Sequence, residues 1–406
     1  MISKRTSQWS GIILILLVGV GYTWATWRYF TEPIPGGNDF LTHYAAWDAF
    51  FKLGVSPYSE EAALYTQQAI YGRPALTGED QNRMVYPFYS ILIHGPFVFL
   101  DYPLARAIYM TLLQAALFVG VVMALDLFQW SPAAWLSALL FIWSLLFYPE
   151  ARGVILGQFA IFGFFSLIAS LYFYKRGYDI LGGVILVLST IKPTLVFLIV
   201  PFLLMYALSQ RRWRFVVGFI GALTLLTFGS LLVSPTWIMD WIFRITRYSD
   251  YTVGQSPVWL LTHNLLPALG GIGEAIIDLF LVAGMFFAWL RAIHGADAEF
   301  NWALGVTLVI SNLIVPRSAT TNYVLMLIPT LWIFSILDQH LKWGKPILVV
   351  TMVISFAGLW WLHFATVAGN QEQPIMFFPF PLVLGLFLLL GRKWLLKNSA
   401  GLNTLT

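Results

Sequence analysis

The chain has 406 residues, of which 59% are hydrophobic and only 10% charged, against the ~25% charged residues of a typical soluble domain. With a mean hydropathy of +0.76, it has too little polar surface to cover a water-soluble particle of this length or to remain disordered in water. The formal net charge of +4 gives no support for nucleic-acid binding, and the absence of cysteine excludes disulfides, thiolate metal sites and thiol catalysis.

Lys4 and Arg5 precede an apolar segment from about Trp9 to Tyr29, too long for a signal-peptide core. It reads as a retained first helix with its N-terminus in the cytoplasm, the basic side. Further apolar segments lie near 87–100, 104–125, 131–148, 158–174, 180–209, 213–233, 257–269, 275–292, 302–315, 319–337, 346–364 and 376–391. Many approach the ~20 residues that a helix needs to cross hydrocarbon, and helix satisfies its own backbone groups there. The expectation is an all-α, polytopic helical membrane protein of about 11–13 transmembrane helices, a single membrane domain over 1–406 in the cytoplasmic (inner) membrane. Lys192-Pro193 interrupts 180–209, so that stretch is either a hairpin of two short helices or is balanced by an earlier re-entrant segment.

Two stretches are not membrane-like. The first, 31–86, carries Glu32, Asp39, Asp48, Glu60, Glu61, Glu79 and Asp80 and falls on the extracytoplasmic side as a large first loop. Within it His43, Tyr44, Trp47, Phe50 and Phe51 recur at helical spacing after Asn38-Asp39, which predicts an interfacial helix with its aromatic face in lipid. The second, 234–256, mixes Trp237, Trp241, Tyr248 and Tyr251 with Arg244 and Arg247, as headgroup-level segments do. It is read as a second extracytoplasmic loop.

Polar groups at membrane depth need a reason. Asp39, behind Gly36-Gly37, suits a general base or a cation ligand, and equally a helix N-cap. Arg152 and Gln158 flank a helix start, where a guanidinium either forks onto phosphate or anchors at the interface. Lys192 sits at a proline break, placed to pair with phosphate or to snorkel. Arg317 heads a polar island that ends in Asn322-Tyr323, a binding surface or a plain connector. The six histidines are scattered without metal-ligand spacing, so no metal site and no cofactor is expected; Asp39 and Asp48 could hold a divalent cation, but no ligand set is evident. Two classes remain: a transporter lined by buried cations, and an intramembrane enzyme acting on a lipid-linked anion. The lopsided first loop and the lack of paired halves lean toward the enzyme.

The order of several short motifs also resembles a known family. These are Asp39-Phe40 with Tyr44, then Gly54-Val55-Ser56-Pro57-Tyr58, Tyr86-Pro87 with Pro96, Gly157-Gln158, Gly182-Gly183 leading to Lys192-Pro193, Gln255-Ser256, and Asn322-Tyr323 with Pro329. Together they are similar to the polytopic glycosyltransferases of the C superfamily, specifically glycosyltransferase family 87, the polyprenol-phosphate-mannose-dependent mannosyltransferases. The resemblance implies a fold with a large first extracytoplasmic loop containing interfacial helices. It implies inverting transfer of one sugar, mannose or another hexose or pentose, from a polyprenyl-phosphate donor to a lipid or glycan acceptor outside the membrane. The family's acidic residue maps onto Asp39, as general base. Lys192, Arg317 and Arg152 are the candidates for the donor phosphate. His43, Tyr44, Tyr86, Gln158, Gln255, Asn322 and Tyr323 are the candidates for substrate contact. The alternative is a lipid-linked-sugar flippase or another transporter.

Overall fold

A computed structural model describes residues 16–251, 255–368 and 372–399. These residues are almost wholly helical, as the apolar composition requires, and no β-strand is found among them. Among the described residues five helices are long and apolar enough to cross a membrane: Tyr102–Leu127, Trp213–Leu231, Gly270–His294, Thr320–His340 and Gly344–Thr366. Up to seven result if each of two bent pairs, Ala134–Leu146 with Tyr148–Leu156 and Pro374–Leu390 with Arg392–Ser399, makes one span.

The expectation of about 11–13 counts every apolar segment, whereas this measure counts only described helices of 18 residues or more. The apolar segments near 87–100, 158–174 and 180–209 fold as helices shorter than 18 residues, among them Phe88–Phe99, Ala160–Lys175, Asp179–Ser189 and Ile199–Ser209. The 257–269 segment forms only Pro257–Trp259 and a π-helical turn, Leu260–Leu265. The break within 180–209 has a local cause. Pro193 disfavours helical geometry at the residue before it, and Lys192 has φ −116° and ψ 85°. Only the second half of the first predicted helix, from residue 16 on, lies within the described residues.

The chain divides into two compact units. The first takes Met1–Ala115, Val154–Gln158 and Ser230–Val253. Its centre is the Asn38–Leu53 helix, which buries Phe40, His43, Trp47 and Ala49 on successive turns. Trp47 is fully buried, edge-on to Phe88 at 5.1 Å, and Phe40 stacks on Tyr109 at 4.2 Å. The aromatic stripe therefore faces protein, which corrects the expectation of a helix with that face in lipid. The periodicity was that of a buried amphipathic helix, and the two cases share one pattern. Trp237–Thr246, from the second polar stretch, packs on the same unit: Trp241 Nε1 donates to the Val85 carbonyl at 2.9 Å, and Arg244 Nε donates to that of Tyr58 at 2.7 Å. Its other side leaves Met239, Ile242 and Phe243 exposed, the pattern of a helix at a membrane surface.

The second unit takes Ala116–Gly153, Phe159–Gly229 and Gly254–Thr406. Thr320–His340 is its most enclosed helix, with Asp297–Ile314 nearly as buried. Ala160–Lys175 and Asp179–Ser189 pair as a helical hairpin. Gly183 has no side chain because a Cβ there would run into the Phe215 carbonyl, the small-residue contact by which membrane helices approach closely. Arg212 donates to the Tyr174 carbonyl and pairs with Asp179. Arg212 thereby ties the chain just before Trp213–Leu231 to the turn of that hairpin.

Two outcomes test these packing statements. Trp47→Ala should lower unfolding stability by about 3–5 kcal/mol, whereas Leu53→Ala, at a half-exposed position on the same helix, should stay within about 0.5 kcal/mol. Thermal and denaturant unfolding in detergent would read both. In the loop that follows, Arg73 forks onto Glu79 at 2.7 and 2.9 Å, and the Leu76 amide donates to the same carboxylate at 2.8 Å. These donors hold the Glu79 carboxyl at about 2, below its ordinary 4.5. A depressed carboxyl stabilises the folded loop above its unfolded value and loses that contribution as pH falls through the folded one. Protection of the Leu76 amide from hydrogen exchange, corrected for intrinsic rate, should hold above pH 4.5 and disappear toward pH 2. In Glu79→Gln it should be low throughout.

Candidate active site

In the first unit the site begins at a turn. Gly36 and Gly37 have φ of 32° and 74°, a region that favours glycine, and a Cβ on Gly37 would strike the Arg106 side chain. The chain thus turns sharply into the Asn38–Leu53 helix and places Asp39 in its first turn, where the helix dipole favours a negative charge. Arg106 is buried. Its guanidinium donates to the carbonyls of Ile34 at 2.8 Å, Pro35 at 2.6 Å and Ile155 at 2.7 Å. Tyr102 OH donates to the Gly36 carbonyl at 2.5 Å.

The Ile155 contact brings in a segment distant in sequence. Gly157, with φ of 71°, lies so close to Phe40 that a Cβ would overlap it. Next to it, Gln158 Nε2 donates to Asp39 Oδ2 at 3.0 Å. Tyr86 OH donates to Gln158 Oε1 at 3.4 Å, and His43 stacks on Tyr86 with ring centres 4.1 Å apart. Asp39, His43, Tyr86 and Gln158 are therefore brought together. Asp39 is half-buried, while the other three are buried. Tyr44 is turned to the neighbouring face, where its hydroxyl donates to the Leu100 carbonyl at 2.7 Å. His94 extends the cluster, 4.7 Å from His43, with Tyr109 OH 3.3 Å from its Nε2. Its Nδ1 faces the Ser90 carbonyl at 3.2 Å, so Nδ1 is assigned the proton and Nε2 accepts from Tyr109.

In the second unit Lys192 Nζ donates to Asn322 Oδ1 at 2.8 Å, which joins the proline break to the late polar segment. Asn322 belongs to a 3₁₀ stretch, Thr320–Met326, that is buried throughout. Tyr323, next in that stretch, donates to the Phe377 carbonyl at 2.8 Å. Arg317 is half-buried in the connector before it, and the Ser318 amide donates to the Gln255 carbonyl at 3.4 Å. Arg152 stands apart from Lys192 in its bonding. Its Nε lies 3.3 Å from Glu372 Oε1, and its Nη1 donates to Tyr148 OH at 3.0 Å.

A family model, Glycosyltransferase family 87, matches residues 84–316, more than half of the chain. The chain belongs to glycosyltransferase family 87. It is thus a membrane glycosyltransferase, with a sugar donor, an acceptor and the bilayer as its partners. No curated protein matches it. The family 87 match covers Tyr86, Arg152, Gln158, Lys192 and Gln255; Asp39, His43, Tyr44, Arg317, Asn322 and Tyr323 lie outside it. Among the described residues no three metal-ligating side chains come together.

The sequence reading missed Arg106, His94, Tyr148 and Glu372. Each had a signal. Arg106 and His94 are polar residues inside apolar segments, and Glu372 is the one acid in the connector between the last two apolar segments. Tyr148 and Arg152 are four apart on one helix.

If the turn before Asp39 depends on Arg106 and Gly37, then Arg106→Lys should cost about 1.5–3 kcal/mol, the scale of hydrogen bonds to a charged donor. Gly37→Ala, strained in φ and in space, should cost about 1–3 kcal/mol. Both should also lower sugar transfer beyond the loss of folded protein, read as specific activity against the folded fraction.

Proposed function

We propose that this family 87 enzyme transfers a single sugar from a polyprenyl-phosphate donor to a lipid or glycan acceptor on the extracytoplasmic face of the cytoplasmic membrane. The N-terminus is then cytoplasmic, and the 31–86 and 234–256 stretches are extracytoplasmic. The donor sugar is mannose or a related hexose or pentose.

Asp39 acts as the general base. It removes the proton from the acceptor hydroxyl as that oxygen attacks C1 of the sugar, and the C1–O bond to the lipid phosphate breaks from the opposite face with inversion. The observation that carries this assignment is the seating of Asp39: a half-buried carboxylate in the first turn of a helix, oriented by a neutral amide, Gln158, that Tyr86 holds in turn. An amide donor of this kind fixes the direction of the carboxylate. A positioned base typically contributes about 10²–10⁴-fold in rate. His43 and Tyr86 offer ring faces and polar edges to the sugars, and Tyr44 shapes the same helix from its other side.

The leaving phosphate departs as a stable anion, so this step needs positive charge rather than an acid. Lys192 and Arg317 supply it, and Arg152 is the third cation, held by Glu372. Asn322 orients Lys192, while Gln255 and Tyr323 brace the connector that carries Arg317.

Purified protein in lipid vesicles, given a labelled polyprenyl-phosphate mannose and membrane lipid extract, should form a new glycosidic bond. Label that only crosses the bilayer would belong to a flippase instead. Asp39→Asn should keep donor binding and lose about 10²–10⁴-fold in kcat, and transfer at the parental rate would remove the base assignment. Lys192→Ala and Arg317→Ala should each raise the donor KM, and parental kinetics in both would remove the phosphate role.

A further inference from the structure

The second unit contains a carboxylate that neither sugar chemistry nor phosphate binding has used. Glu372 is largely buried, and its donors converge from two elements: from the Tyr148–Leu156 helix, Tyr148 OH at 2.7 Å and Arg152 Nε at 3.3 Å, and from the Thr320–Met326 stretch, both the hydroxyl and the backbone N–H of Thr320, the latter at 3.4 Å. Tyr148 OH also lies 3.0 Å from His363 Nδ1. A phenol has one proton. With that proton on Glu372, the same oxygen accepts from Arg152 and from His363 Nδ1–H, which saturates it.

Thr320 is the first residue of the 3₁₀ stretch Thr320–Met326. An N–H at that position has no partner within its own helix, and Glu372 satisfies it from outside. Two residues on, Asn322 holds Lys192, and one further on, Tyr323 is tied to the Phe377 carbonyl. The segment from Glu372 to Phe377 thus clamps both sides of Asn322, which accepts from Lys192. Asn322 itself has no freedom to compensate, since Thr320 to Tyr323 are all buried.

We infer that Glu372 is a positioning residue for Lys192, acting through Thr320 and Asn322: it fixes the start of the 3₁₀ stretch and so fixes where Asn322 aims the ammonium. Arg152 and Tyr148 serve this network by holding the carboxylate in place. The link to catalysis rests on the phosphate role proposed above for Lys192; the positional coupling does not.

The test has an arm for each. Lys192 is labelled with an amine-reactive ester in detergent-solubilised full-length protein, and its modification rate is read by mass spectrometry. Asn322→Ala should raise that rate, Glu372→Gln should raise it as well, and the double variant should add little. Thr320→Val, which keeps size and removes only the hydroxyl contact, should shift it in the same direction and carries the test if Glu372→Gln does not fold. Parental labelling of Lys192 in folded Glu372→Gln or Thr320→Val would overturn the inference, as would effects that simply multiply in the double variant.

In the transfer assay Glu372→Gln should raise the donor KM about ten-fold or more, on the scale of a lost charged hydrogen bond, with kcat changed less. Glu372→Asp should recover part of that loss. A general loss of kcat with unchanged KM would overturn a positioning role toward the donor. If Lys192→Ala leaves the donor KM unchanged while the labelling is still coupled, it is the phosphate reading that fails and the network that stands.

Discussion

Arg106 holds the first unit's chemistry in place. A buried guanidinium is costly unless it is hydrogen-bonded, and here backbone carbonyls from two distant parts of the chain accept from its Nη1 and Nη2. The Ile34 and Pro35 carbonyls belong to the turn that launches the Asp39 helix, and the Ile155 carbonyl belongs to the strip that carries Gln158. One cation therefore sets both the direction of Asp39 and the position of the amide that touches it. Gly37 and Gly157 follow from the same crowding: the first yields space to Arg106, the second to Phe40.

The chain contains carboxylates in very different seats, and the differences separate their roles. Asp48 accepts from Tyr65 at 2.6 Å and pairs with Lys52, both on the surface of the first loop. Glu299 is held by Arg291 and Arg392, a tie between the ends of three helices. Glu372 is held by Arg152 and two hydroxyls. Each of these is tied into the structure by a cation of the protein itself. Asp39 lies in the first turn of its helix, and its carboxylate accepts from the Gln158 amide. The N-cap position is taken by Gly37, two residues earlier, and not by Asp39.

Much of this was legible before any coordinates. Composition alone demanded helices in a membrane, and the breaks at Lys192-Pro193 and at 315–319 were read at the right places. Gln158 and Asp39 were each singled out, as were Lys192 and Asn322. Their pairing was not foreseen, because spacing along a chain fixes neighbours only within one helix; the contacts of Asp39 and Lys192 cross 119 and 130 residues. The lengths of the helices were less legible for a related reason. Hydropathy reports how apolar a stretch is, and a 16-residue helix such as Ala160–Lys175 is as apolar as a true span while being shorter. The aromatic stripe on Asn38–Leu53 was read correctly as helical and assigned to the wrong medium, since lipid and a protein core select the same side chains.

The two polar pairs differ in a way that bears on their use. Arg152 meets a carboxylate, so its charge is partly spent within the protein and its contribution to any phosphate is reduced by the cost of leaving Glu372. Lys192 Nζ donates to an amide oxygen, which directs the ammonium. That seat exists only while Thr320 and Tyr323 keep Asn322 in place. Glu372 is thereby linked to the side chain that Lys192 meets, through Thr320 and the 3₁₀ stretch it begins.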